Sequence, residues 1–93
     1  MKVYQLHIGS NSTGTISTET EAKIQKTVAN EFPSFSVLRG RGYFRGTPED
    51  LLIVKIATDN QPQVYQLASK LRQALNQDGI GVEHDGEYHR VVE

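Results

Sequence analysis

The chain predicts an α+β domain: one antiparallel sheet carrying two helices on a single face. Three observations predict it. Apolar and polar residues alternate over 3–9, the period of a half-buried strand. Two later stretches space their apolar residues three and four apart, the period of an amphipathic helix. Gly, Pro and Asp-Gly turn signals separate the remaining extended segments. In order these give β-α-β-β-α-β with a possible extra C-terminal strand, which is the ferredoxin-like plan.

Within 3–9, Tyr4, Leu6 and Ile8 share one face, and Val3, Gln5 and His7 share the other. GSNSTGTIST follows as a polar loop. Thr18 opens the first helix, 18–32, with Glu21 at the spacing of a capping box. Ile24, Val28 and Phe32, with Ala29 beside them, mark its buried stripe, and Pro33 stops it. Residues 35–45 are the second strand, and Gly46-Thr47-Pro48-Glu49-Asp50 is a connecting turn. Residues 51–57 form the third strand, apolar on both faces except at Lys55. The second helix, 61–77, starts at Asp59-Asn60-Gln61-Pro62, with Pro62 suited to a first turn. Val64, Leu67, Ala68, Leu71 and Leu75 form its stripe, and Gly79 supplies the stop. Residues 80–84 are a fourth strand, and the Asp85-Gly86 hairpin signal returns the chain as a fifth over 87–92. Leu6, Ile24, Val28, Val54, Leu67 and Leu71 are the expected core.

At 93 residues the chain has the size of one domain with a modest core. A formal charge of -1 argues against a dedicated nucleic-acid binder. With no cysteine there is neither a disulfide framework nor thiol chemistry, which fits a reducing compartment. MKVYQLHIG is too short and too alternating for a signal peptide, and no apolar run approaches membrane length. A soluble, cytoplasmic protein without a membrane partner is expected.

The most informative stretch is RGRGYFRG, residues 39–46. As a strand it projects Arg39, Arg41, Tyr43 and Arg45 together, an anion- and π-binding surface of guanidinium groups around one aromatic ring. Such a row suits a phosphorylated or nucleotide-like small molecule. The bland alternative is a solvated strand whose arginines pair with Glu49, Asp50 or Glu83 and guard a sheet edge. If Tyr4, Leu6, Ile8, Leu52, Val54 and Ile56 face the helices, Val3, Leu51 and Ile53 lie on the open face. His7, Lys55 and the arginine row are expected beside them. That much exposed apolar surface suggests self-association, as a dimer or trimer, with a composite pocket between subunits.

Other motifs carry less. Gly9 and Gly14 have phosphate-loop spacing, but Thr15 stands where that motif demands lysine, so a solvated crossover is the better reading. Ser10, Ser12 and Thr13 remain as hydroxyl donors there. In the tail, His84, Glu87 and His89 share one face of the expected hairpin; their types suit a metal, but no wider spacing supports one, and no metal or other cofactor is expected. Cysteine-nucleophile, nucleophile-elbow and zinc-helix templates all fail. An acid-base role for His7 beside Tyr43 is the one enzymatic option.

FPSFSVLRGRGYFRG, followed by Glu49 and LLIVKI, resembles a bacterial family known only as a domain of unknown function with a ferredoxin-like build. Phe32-Pro33, Gly42, Phe44, Arg45 and Gly46 carry the resemblance, over about the middle third of the chain. The loop after the first strand and the HDGEYH tail depart from it. The resemblance implies the fold and no activity. The layout is also similar to small trimeric signalling and copper-tolerance proteins with ferredoxin-like subunits, an analogy of fold alone. The leading functional expectation is a non-catalytic homo-oligomeric protein that senses or sequesters a nucleotide-like ligand through Arg39, Arg41, Tyr43, Arg45, Lys55 and His7. A small dimeric ferredoxin-like-barrel enzyme is the alternative, and a pure interaction module the third reading.

Overall fold

A computed structural model describes residues 1–11 and 13–93. The chain runs through β1 (Lys2–Ile8), α1 (Thr18–Ala29), β2 (Ser36–Phe44), β3 (Thr47–Thr58), α2 (Gln61–Ala74), β4 (Ile80–His84) and β5 (Glu87–Val91). The strands form one antiparallel sheet in the order β2-β3-β1-β4-β5. No helix among the described residues is long and apolar enough to cross a membrane.

Register decides which side chains enter the core. Leu6 lies opposite Val54 on one side and Val82 on the other, so Tyr4, Leu6, Ile8, Leu52, Val54, Ile56, Ile80 and Val82 share a face. All are buried in one cluster with Ile24 and Val28 of α1 and Val64, Leu67, Ala68 and Leu71 of α2. Both helices therefore draw on the same sheet face. Burying one such aliphatic side chain is worth about 1.5–3 kcal/mol, more than helix propensity supplies to helices this short. The six expected core residues are all within it.

The ends of the elements differ from expectation in four places. Helix α1 ends at Ala29 with Asn30 as its cap, three residues short of Phe32. Ser17, not Thr18, caps α1 by accepting from Thr20 N at 3.1 Å, and Glu21 turns instead to Arg39 and Gln25. Helix α2 stops before Gly79: Asn76 takes a left-handed φ of 53°, and Gln77 N donates to Arg72 O at 2.9 Å. The segment 46–50 is mostly strand. The reversal is only Arg45 and Gly46, at φ 51° and 79°, and Phe44 already pairs with Thr47. Both central residues carry positive φ, as a tight hairpin turn requires. At α2 the expectation holds: Asn60 accepts from Gln63 N at 3.1 Å, and Pro62 sits in the first turn.

Candidate functional site

The face of the sheet away from the helices has two halves. On the β2–β3 side, Leu38 opposes Ile53, Gly40 opposes Leu51, and Val3 of β1 opposes Ala57. Val3 and Leu38 are about half exposed, and this half is largely apolar. On the β4–β5 side the same face carries polar and aromatic groups. Gln5 opposes Lys55 and Glu83, His7 opposes Ile53 and Gly81, and across the last hairpin Tyr88 opposes Glu83 and Arg90 opposes Gly81.

Two glycines shape this polar half. A Cβ at Gly81 would lie 1.9 Å from Tyr88 Oη, and one at Gly79 would lie 2.7 Å from Arg90 Cζ. Tyr88 and Arg90 thus lie down across β4 and its approach, where any side chain would expel them. Tyr88 reaches His7 edge-on, with ring centroids 5.6 Å apart. His7 Nε2 is 3.1 Å from Glu83 Oε1. Because an ionised carboxylate only accepts, that hydrogen bond puts the proton on Nε2 and leaves Nδ1 as the second polar atom of the ring. A carboxylate that orients an imidazole, with a phenol beside it, is equipped for proton transfer.

Arg90 of this face lines a cleft of about 500 Å³ at the end of β1, together with Phe44, Glu49, Gln77, Asp78 and Gly79 among others. Its size suits a small molecule. Its wall is held by buried polar groups: Ser10 Oγ donates to Glu49 Oε2 at 3.2 Å, and Gln77 Nε2 donates to Gly9 O at 2.8 Å. Neither Glu49 nor Asp78 forms an ion pair with Arg90, and Arg90 has no side-chain hydrogen bond or ion pair among the described residues. The cleft therefore presents both signs of charge without neutralising them.

The expected site residues divide between two faces. His7 and Lys55 lie on the open face, as the alternation required. Arg39, Arg41 and Tyr43 do not. They oppose Leu52, Asp50 and Pro48, which places the row on the helix side. The reason lies just upstream, where Phe35 and Val37 pack on the core and fix the parity of the whole strand. Arg39 is tied to Glu21 and to Asp50 Oδ2, the latter at 3.1 Å, and donates to Ile16 O at 3.2 Å. The Glu21 hydrogen bond, with the charges of both carboxylates, holds the Arg39 guanidinium above its ordinary pKa. Arg41 and Tyr43 are exposed beyond it. Arg45 belongs to the tight turn, with its guanidinium carbon 5.3 Å from the Phe44 ring centre.

The loop after β1 is folded on itself. Thr13 Oγ1 donates to Ser10 O at 2.7 Å, Gly14 N donates to Ser10 Oγ at 3.2 Å, and Asp50 N donates to Gly14 O at 2.9 Å. The hydroxyls of Ser10 and Thr13 thus serve the protein, while Ser12 lies outside the described residues. His84, Glu87 and His89 share the helix side, where His84 packs 4.7 Å from the Tyr4 ring and 6.2 Å from His89. His84 Nδ1 is 3.4 Å from Asp85 Oδ2 but lacks hydrogen-bonding alignment. No three His, Asp or Glu side chains among the described residues are arranged to hold a metal.

Sequence reasoning missed Phe44, Asp78, Tyr88 and Arg90, and treated Glu49 and Glu83 only as partners for the arginines. The Asp85-Gly86 signal contained the missing step. A two-residue hairpin fixes Glu83 opposite Tyr88, and Gly81 opposite Arg90, so large side chains of β5 lie across a segment that carries Gly79 and Gly81.

No protein-family model matches the chain, and no curated protein matches it. Among solved structures, the chain is similar to a phage SAM lyase in its apo state, with a TM-score of 0.71 and 16% identity. The likeness covers 99% of this chain and 89% of that one. At such identity it shows a shared fold.

Proposed function

We propose that the protein is a small enzyme with a ferredoxin-like fold, acting at the open-face cleft on S-adenosylmethionine (SAM) or a close sulfonium analogue. The observation that carries this reading is the His7–Glu83–Tyr88 cluster on the same sheet face as Arg90, which lines a cleft of small-molecule size. Its support from outside the chain is the fold shared with a SAM lyase. A lyase breaks a bond in its substrate without water or redox change. Its protein must therefore hold the substrate's charges, keep the reacting parts in line and manage at most a proton.

The residues suit those tasks. Phe44 offers an aromatic face for the base. Glu49 and Asp78 supply negative charge for a sulfonium or ammonium group. His7, oriented by Glu83, holds a proton beside Tyr88. Tyr88 here takes the part that sequence reasoning gave to Tyr43. This reading places catalysis ahead of the non-catalytic sponge.

The apolar half of the open face supports a further part of the reading: Val3, Leu38, Leu51 and Ile53 are covered by a second copy of the chain. A cysteine-free chain acting on SAM belongs in the cytoplasm.

The test is to incubate the purified protein with SAM and follow both substrate and products by mass spectrometry. Time-dependent loss of SAM is expected, with His7→Ala lowering the rate about 10²–10⁴-fold. SAM retained intact would favour the sponge, and neither binding nor loss would refute both.

A further inference from the structure

The cleft holds separated charges of both signs, and one of them is placed unusually. Arg90 lies over Gly79, where even a methyl group would stand 2.7 Å from its Cζ and Nε. Its donors have no partner among the described residues, although Glu49 and Asp78 line the same cleft. Arg90 is exposed, and its guanidinium remains available to an anionic partner. Its stem and the base of its guanidinium lie over the bare backbone before β4, at the wall of the cleft that Arg90 lines.

Taking the functional reading above as its premise, we infer that Arg90 is the specificity residue for an amino-acid moiety, gripping the substrate's α-carboxylate through its paired N–H donors. The fork matches a carboxylate in two parallel hydrogen bonds. Asp78, which has no ion pair among the described residues, and Glu49, fixed by Ser10, then face the cationic remainder of the same substrate. A nucleoside without the amino-acid tail would leave Arg90 unmatched. The site thus selects zwitterionic adenosyl compounds over simple nucleosides, and Gly79 is the residue that makes the arginine's position possible.

The experiment is calorimetric titration of the full chain with S-adenosylhomocysteine and with its decarboxylated analogue, two thioethers that differ only by the carboxylate. The wild type should prefer the carboxylate compound by about 10- to 100-fold, the scale of a charge-assisted hydrogen-bonded contact. Arg90→Met should bind the two alike. Gly79→Ala keeps the arginine but displaces it, and should shrink the preference in a chain whose circular dichroism is unaltered. Equal binding by the wild type, or a preference that survives in Arg90→Met, overturns the inference even if SAM is consumed. If the wild type binds neither compound and leaves SAM intact, the functional reading falls and takes the inference with it.

Discussion

Gly81→Ala separates what the open-face row does for stability from what it does for function. The new Cβ would stand 1.9 Å from Tyr88 Oη, 2.2 Å from Cζ and 2.6 Å from Cε2, so the ring must swing away. Swinging away forfeits the edge contact with His7, worth about 0.5–1.5 kcal/mol for an aromatic pair. Replacing a strand glycine by alanine returns about 0.5–1 kcal/mol of backbone entropy. The net change is therefore at most about 1 kcal/mol, a melting shift no larger than about 4–8 °C in a domain of this size. SAM turnover should fall far more than that, because the phenol no longer sits beside the imidazole. Urea unfolding and a turnover assay, run on Gly81→Ala, Tyr88→Ala and the double variant, give the coupling directly. Once Tyr88 is gone, Gly81→Ala should cost no further activity. If it costs as much activity in the Tyr88→Ala background as alone, the glycine is not the seat of the tyrosine and the reasoning fails.

Other expectations follow from the same geometry. Leu67→Ala, in the fully buried stripe of α2, should lose about 2–5 kcal/mol in urea unfolding. Ile53→Asp should turn an oligomer into a monomer in sedimentation equilibrium, since an unpaired charge is costly to bury; a wild type that is already monomeric at micromolar concentration would refute assembly through this face. The hydrogen bond and charge of Lys70 lower the Glu31 pKa from its ordinary value, against the opposing effect of burial. That contribution is present above the unfolded carboxylate pKa and is lost as pH falls through the lower folded value. Lys70→Met should thus flatten the acid side of the stability profile and leave a smaller difference between neutral pH and pH about 3.

Most of the fold was legible because its signals are periodic. Leu6, Val54, Leu67 and Leu71 fall where alternation and helical spacing put them, and the open-face position of Val3, Ile53, His7 and Lys55 follows from the same parity. The second strand was misread for a physical reason. Its residues 39–45 contain no alternating apolar pair, so charge and aromaticity suggested a face while Phe35 and Val37 actually determined it. Pro48 obscured the start of β3, because proline in a sequence argues for a turn, whereas here it lies in the strand opposite Tyr43. The cleft itself was illegible, since it joins Phe44 and Glu49 to Asp78 and Arg90 across three connections. No local pattern encodes that meeting; only the strand order does.

The central claim is that the open-face cleft, and not the arginine row, receives the substrate. Amide chemical-shift mapping with an uncleavable adenosyl thioether tests it most directly. The account predicts perturbations at Gly9, Phe44, Glu49, Asp78, Gly79, Gly81, Tyr88 and Arg90, with Thr18, Glu21, Arg39 and Arg41 unmoved. Perturbations gathered around Arg39, Arg41 and Tyr43 on the helix side, with the cleft silent, would contradict it.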